Sequence, residues 1–212
     1  MALKRASDCT ALRPVEAREY ARNTKGLLAQ LADPDATKRR WAARDLAGHP
    51  DAAAPLCARL AVETDTSVRS VLFGSAALLG AGPRANVVVA SLLPLLRSEV
   101  PALRTGAIEV LAGLSDAVAP HIEKLLADPD GDVRIFSVNL LGDLKHPNVP
   151  QWLAQVLVNE PNVNVVGAAL EVLAEVGTSA SLPALRTAAL RFADDAYIAF
   201  AVDLAVGRIG LS

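Results

Sequence analysis

Along most of the chain, apolar positions recur at helical spacing and are broken at intervals by short polar joints. In "GDVRIFSVNLLGDL" (131–144), Ser137, Val138 and Leu141 lie three, four and seven positions after Arg134. Ala107, Ile108 and Leu111 take the same places after Arg104. That spacing is one buried face of a helix. Upstream lies another apolar segment, as in "APHIEKLLA" (119–127) and "PQWLAQVLV" (150–158). Pro55, Pro120, Pro150 and Pro183 stand near the starts of these upstream segments, where a missing N–H costs nothing and φ is already set. Pro94 falls inside its segment and predicts a kink.

The joints repeat too. "LADPD" occurs at 31–35 and again at 126–130, and "NEPN" at 159–162 is a third version. Each predicts the same event: the first helix stops, Pro prevents its continuation, and Asp or Asn opens the second helix as a cap. Aligned on these joints, the rows share an Arg column at Arg39, Arg69, Arg104 and Arg134, replaced by Val166 and Ile198 in the last two. The steps are 30, 35, 30, 32 and 32 residues. Six units at one period mark an array of helical pairs. "GAGPRAN" (80–86), inside the 35-residue step, is expected to be the longest inter-repeat loop.

Composition supports helices. Apolar residues make up 52% but aromatics only 4%, so the core is built from Ala, Leu and Val, which suits close helix packing. The longest apolar run, "ANVVVASLLPLL" (85–96), is too short to span a bilayer and contains a Pro. "MALKRASDCT" lacks the apolar stretch of a secretory signal, and Cys9 and Cys57 have no paired-ligand spacing. Reduced thiols in a cytoplasmic protein are therefore expected. Net charge is −2 but uneven: ten Lys/Arg against five Asp/Glu over 1–44, then eleven against eighteen. Ordinary helix-surface charge accounts for this. The sharper reading is a basic end that meets an acidic partner or nucleic acid.

The Asp-x-x-Val-Arg core, the helical pairs and the Gly-closed second helices resemble HEAT repeats of the short bacterial kind also found in phycobilin lyase subunits. The resemblance covers about residues 25–210. It implies an all-α fold, a right-handed α-solenoid of about six HEAT-like helical hairpins with an N-terminal capping helix. "RPVEAREYARN" (13–23) is expected to be that cap, so 1–24 reads as arm and capping helix and 25–212 as the repeat domain. The resemblance further implies a structural ladder between units, with Asp35, Asp65 and Asp130 set against Arg39, Arg69, Arg104 and Arg134. The third unit departs from it, having Val100 at the Asp position.

No catalytic constellation emerges. There is no GxSxG elbow, HExxH or CxxC, and "GAGPRAN" lacks the Lys-Ser/Thr of a phosphate loop. His49 and His146 occupy matching places before Pro ("GHPD", "KHPN"), which predicts a helix-end role facing the C-terminal dipole. No metal or cofactor is expected. Trp41 and Asp45, four apart, resemble one feature of HEAT-like DNA glycosylases, but the acidic remainder of the chain disfavours a nucleic-acid groove. The repeat type is also compatible with a lyase-like enzyme subunit, or with a structural or oligomerisation element.

The preferred reading is a non-catalytic adaptor or scaffold that holds a protein or peptide partner, with no membrane role and an open oligomeric state. In HEAT-type solenoids the second helices line the concave side, with outward positions one, two and five after the Arg column. These are Arg40, Trp41 and Arg44; Ser70, Val71 and Gly74; Thr105, Gly106 and Glu109; Ile135, Phe136 and Asn139; Gly167 and Glu171; Ala199, Phe200 and Asp203. Trp41, Phe136 and Phe200 recur two after the column, as a row of aromatic anchors or, with the helix turned by a residue, as core.

Overall fold

A computed structural model of the protein describes residues 19–210. In the first half, helices α1 (Thr24–Gln30), α2 (Ala36–Leu46), α3 (Ala53–Leu60), α4 (Thr66–Gly80), α5 (Ala85–Leu92) and α6 (Pro101–Ala112) alternate as first and second members of pairs. Helices α7 (Ser115–Val118) and α8 (Ile122–Leu126) share one first-helix place, and α9 (Gly131–Asp143) follows as its second. The remaining pairs are α10 (Val149–Asn159) with α11 (Val163–Val176), and α12 (Leu182–Arg191) with α13 (Ala196–Ile209). No strand occurs among the described residues. The fold is an α-solenoid of six helical pairs. Helices α2, α4, α6, α9, α11 and α13 pack each on the next as one layer, while the first helices stack beside them as the other.

Between the layers runs one apolar cluster reaching from Leu27 to Ile209, almost wholly Leu, Ala and Val. Small residues let the helices approach closely, so the stack needs few aromatic fillers. Of the positions read as one buried face, Ser137, Val138, Leu141, Ala107 and Leu111 are buried, while Ile108 is half-buried at the edge of the cluster. Ser137 settles its hydroxyl on the Val133 carbonyl at 2.7 Å.

The joints form as the pattern requires. Asp35, Asp65, Asp130, Asn162 and Asp195 cap α2, α4, α9, α11 and α13, each accepting a backbone N–H of the first turn. α6 has no side-chain cap and starts instead with Pro101 at its first position.

Three expectations need correction. Residues 14–18 of the proposed capping helix lie outside the described residues, and 19–23 are bends rather than helix. "GAGPRAN" is not the longest loop: α4 runs through Gly80, only 81–84 form a turn, and 144–148 is a longer link. The 35-residue step goes instead into a 15-residue α4 and a 3-10 stretch, Leu93–Arg97, that continues α5. Pro94 lies in that stretch; lacking an N–H, it ends the α-helical ladder and tightens the chain. Pro120 does the same in the turn Ala119–His121, dividing α7 from α8.

Candidate functional site: the joint ladder and the second-helix face

In the first five units the residue two before the cap organises the joint. Asp33, Glu63, Ser98, Asp128 and Glu160 each accept the backbone N–H of the residue two ahead, the cap itself, at 2.8–3.2 Å. Backbone carbonyls of the same residues accept from the Arg column. Arg39 donates to Asp33 (3.0 Å), Arg69 to Glu63 (2.9 Å), Arg104 to Ser98 (2.5 Å) and Arg134 to Asp128 (2.7 Å). Each Arg thus locks the start of its own second helix.

Two of these guanidiniums also reach into the following unit. Arg39 makes a two-pronged contact with Glu63 at 2.8 and 2.9 Å, and Arg134 does the same with Glu160. The acids of the ladder are therefore Glu63 and Glu160. Asp35, Asp65 and Asp130, expected in that role, are occupied as caps, where a short side chain serves the first-turn N–H groups. Burial alone would raise the Glu63 carboxyl, but Arg39, the Asp65 N–H and Arg59 more than reverse this and bring it down to about 2.

Other links are specific to single joints. Where Val166 replaces the Arg, Arg191 of the next first helix supplies the guanidinium, bonding the Leu157 and Glu160 carbonyls at 2.6 and 2.8 Å. Arg97 pairs with Asp128, while Arg104 lies over the Phe136 ring with 4.7 Å to its centroid. Between the second and third units, Ser98 stands where the acid should be. Arg69 consequently makes no ion pair among the described residues, and its Nε is buried without an acceptor.

The sequence pattern did not single out Glu63, Glu160 or Arg191. A signal did exist for the first two, since the column Asp33, Glu63, Ser98, Asp128, Glu160 is polar in the first five rows and gives way to Ala193 only in the sixth. Arg191 offered none, because it acts from a different helix.

Of the proposed binding residues, Arg40, Trp41 and Arg44 are all exposed on α2, with Trp41 showing 49% of its surface. Neither Arg40 nor Arg44 has a hydrogen bond or ion pair among the described residues. Ser70, Gly74, Thr105, Glu109, Asn139, Ala199 and Asp203 are exposed, Val71, Ile135 and Phe136 half-buried. Glu171 is exposed and accepts the Tyr197 hydroxyl at 2.6 Å. Phe200 is 66% exposed. The aromatic row therefore splits: Trp41 and Phe200 are surface, while Phe136 is partly spent on Arg104. Gly106 and Gly167 are buried against the Phe73 and Tyr197 rings, which a Cβ at either position would strike. Gly74 is different, since a Cβ there would meet nothing within 4 Å. Beside it a groove of about 660 Å³ separates α4 from α6, lined by Thr66, Arg69, Ser70, Phe73, Thr105, Gly106 and Glu109.

The candidate chemistry is otherwise engaged. Asp45 pairs with Arg22, which removes it from any role with Trp41. Cys57 is buried and its thiol is pushed up to about 11, so it is a poor nucleophile; Cys9 lies outside the described residues. The His49 and His146 rings turn toward the first helices rather than the helix dipole. His49 contacts the Thr24 hydroxyl at 3.0 Å, and His146 stacks on Trp152 and accepts the Asn148 N–H. No group of three or more His, Cys, Asp or Glu able to hold a metal occurs among the described residues, nor is any helix there long and apolar enough to cross a membrane.

Residues 118–203 match the family described as HEAT repeats. No curated protein matches the chain. Among solved structures it is similar to an engineered protein (20% identity over 87% of this chain and 95% of the other, TM-score 0.42). It is also similar to a designed armadillo repeat protein in complex with the peptide (KR)4 (17%, 86% and 98%, 0.43). A third likeness is to the complex of CpcE and CpcF of phycocyanin lyase from Nostoc sp. PCC7120 (17%, 93% and 98%, 0.37). None of these likenesses bears on what this chain binds.

Proposed function

We propose that the protein is a non-catalytic interaction module, a cytoplasmic adaptor or scaffold whose concave, second-helix face holds a partner protein or peptide. One observation carries this reading. Arg40, Trp41 and Arg44 stand exposed on a single helix with both guanidiniums unpaired among the described residues, whereas the other described Arg residues, Arg186 excepted, are engaged in hydrogen bonds, ion pairs or other contacts. Holding bare cations beside a half-exposed Trp gives the fold nothing, whereas Trp and Arg are the side chains that anchor interfaces. Glu109, Glu171, Asp203 and the exposed Phe200 continue the face toward the other end. On this reading 25–212 is the repeat domain, with 1–24 an arm and cap outside it. The acids along the face count against nucleic acid, since each would oppose a phosphate.

The test is affinity capture with wild type beside an Arg40→Glu, Trp41→Ala, Arg44→Glu variant. These positions are exposed on the helix surface, so the variant should fold. One stoichiometric partner, lost in the variant, is the expected result. A partner retained in full by the variant would overturn the assignment.

A further inference from the structure

We infer that the groove between α4 and α6 receives an acidic, apolar-flanked segment of the partner, with one carboxylate placed at Arg69. This rests on the reading of the second-helix face as the binding surface, and adds the chemistry of what binds. The first ground is an unbalanced cation. Arg39 and Arg134 each meet a carboxylate from the next unit, whereas Arg69 finds Ser98 in that place and keeps one hydrogen bond, to the Glu63 carbonyl. Its Nε is shut away from water without an acceptor. A partly buried guanidinium that lacks its anion is the costly arrangement, and an external carboxylate on its outer nitrogens relieves it.

The second ground is the space beside it. Arg69 lines the 660 Å³ groove, which the Phe73 ring, seated over Gly106, also lines, and which is open at Gly74. An aliphatic side chain fits against that ring. The third ground is the surrounding charge. Arg40 and Arg44, on the preceding helix of the row, are unpaired among the described residues, so further acids of the segment find cations there. Glu109 lines the groove from α6, five residues and so about 7.5 Å of helix rise beyond Arg104, the counterpart of Arg69 in its own unit. It repels a second carboxylate and so favours the acidic residue at Arg69. A nucleic acid carries a phosphate at every step and would have to lay one against Glu109.

Fluorescence anisotropy with three labelled probes tests this: the peptide Glu-Leu-Glu-Leu-Glu-Leu-Glu-Leu, its Lys-for-Glu counterpart, and a thymidine oligonucleotide. Two variants keep the fold intact. Gly74→Leu fills the groove from a position with free space and improves helix propensity. Ser98→Glu supplies Arg69 with an internal acid. The acidic peptide should bind in preference to the other two, and each variant should weaken it about tenfold, the scale of one charge-assisted hydrogen bond. Unchanged affinity in both variants, preference for the basic peptide or the oligonucleotide, or no binding by any probe would each overturn the inference. If both groove variants still capture a partner that the Arg40/Trp41/Arg44 variant loses, the groove assignment falls and the broader reading stands. If capture ignores all of them, the broader reading falls as well.

Discussion

Among single residues, Glu63 shows how a buried charge is made tolerable. Its carboxylate has no exposed side-chain surface, yet two guanidiniums and the N–H groups of Thr64 and Asp65 surround it. Replacing it by Gln keeps the shape and removes the charge, leaving Arg39 buried without its anion. Unfolding free energy at neutral pH should fall by about 3 kcal/mol. Because the folded carboxyl is brought down to about 2 from an ordinary 4.5, its contribution is complete above the unfolded value and is lost as pH falls toward 2. Urea titrations at stepped pH should therefore show wild type and Glu63→Gln converging in acid. A constant gap down to pH 2 would contradict the assignment. The opposite experiment is at Ser98, where Glu should complete the missing rung and raise the melting temperature; a lowered one would show that Arg69 has no use for an acid there.

Between elements, two glycines on the same layer should respond with opposite sign. Gly74→Ala adds a Cβ into open space and should gain about 0.5–1 kcal/mol from helix propensity. Gly106→Ala drives its Cβ into the buried Phe73 ring and should cost about 1–3 kcal/mol. Equal effects in thermal melts would refute this packing. The pair also marks where sequence reading stops. Caps were legible because Asp65 or Asn162 acts within three residues of itself, and the buried faces were legible because period alone places Val138 and Leu141. Glu63 and Glu160 were not, since their partners lie 24 and 26 residues away and meet them only once the units stack. Whether a Gly is crowded or open likewise depends on which ring the next helix brings.

Over the whole molecule, the polar links are unevenly spread. The first two units are joined by Arg39–Glu63, the fourth and fifth by Arg134–Glu160, and the last two by Arg191 and the Tyr197–Glu171 hydrogen bond. Among the described residues the second and third are linked through side-chain charges by the exposed Arg84–Asp51 pair alone, beside apolar contacts such as Phe73–Gly106 and Leu114–Gly80. Exposed pairs contribute little. In an array stabilised by nearest-neighbour interfaces, opening should begin at that junction. Native-state hydrogen exchange should show two blocks meeting between residues 80 and 101, merged by Ser98→Glu; uniform protection across that boundary would contradict it.

Whether a partner sits on the face beginning at Trp41 can be decided with a photo-crosslinking amino acid placed at position 41, with position 190 as control. Leu190 is at least as available, at 81% exposure, but lies on a first helix. One dominant crosslinked protein is expected from position 41 and none from 190, with the product lost when Arg40 and Arg44 are reversed to Glu. Crosslinks to the same protein from 190 alone, or from 41 regardless of those charges, would place the partner elsewhere.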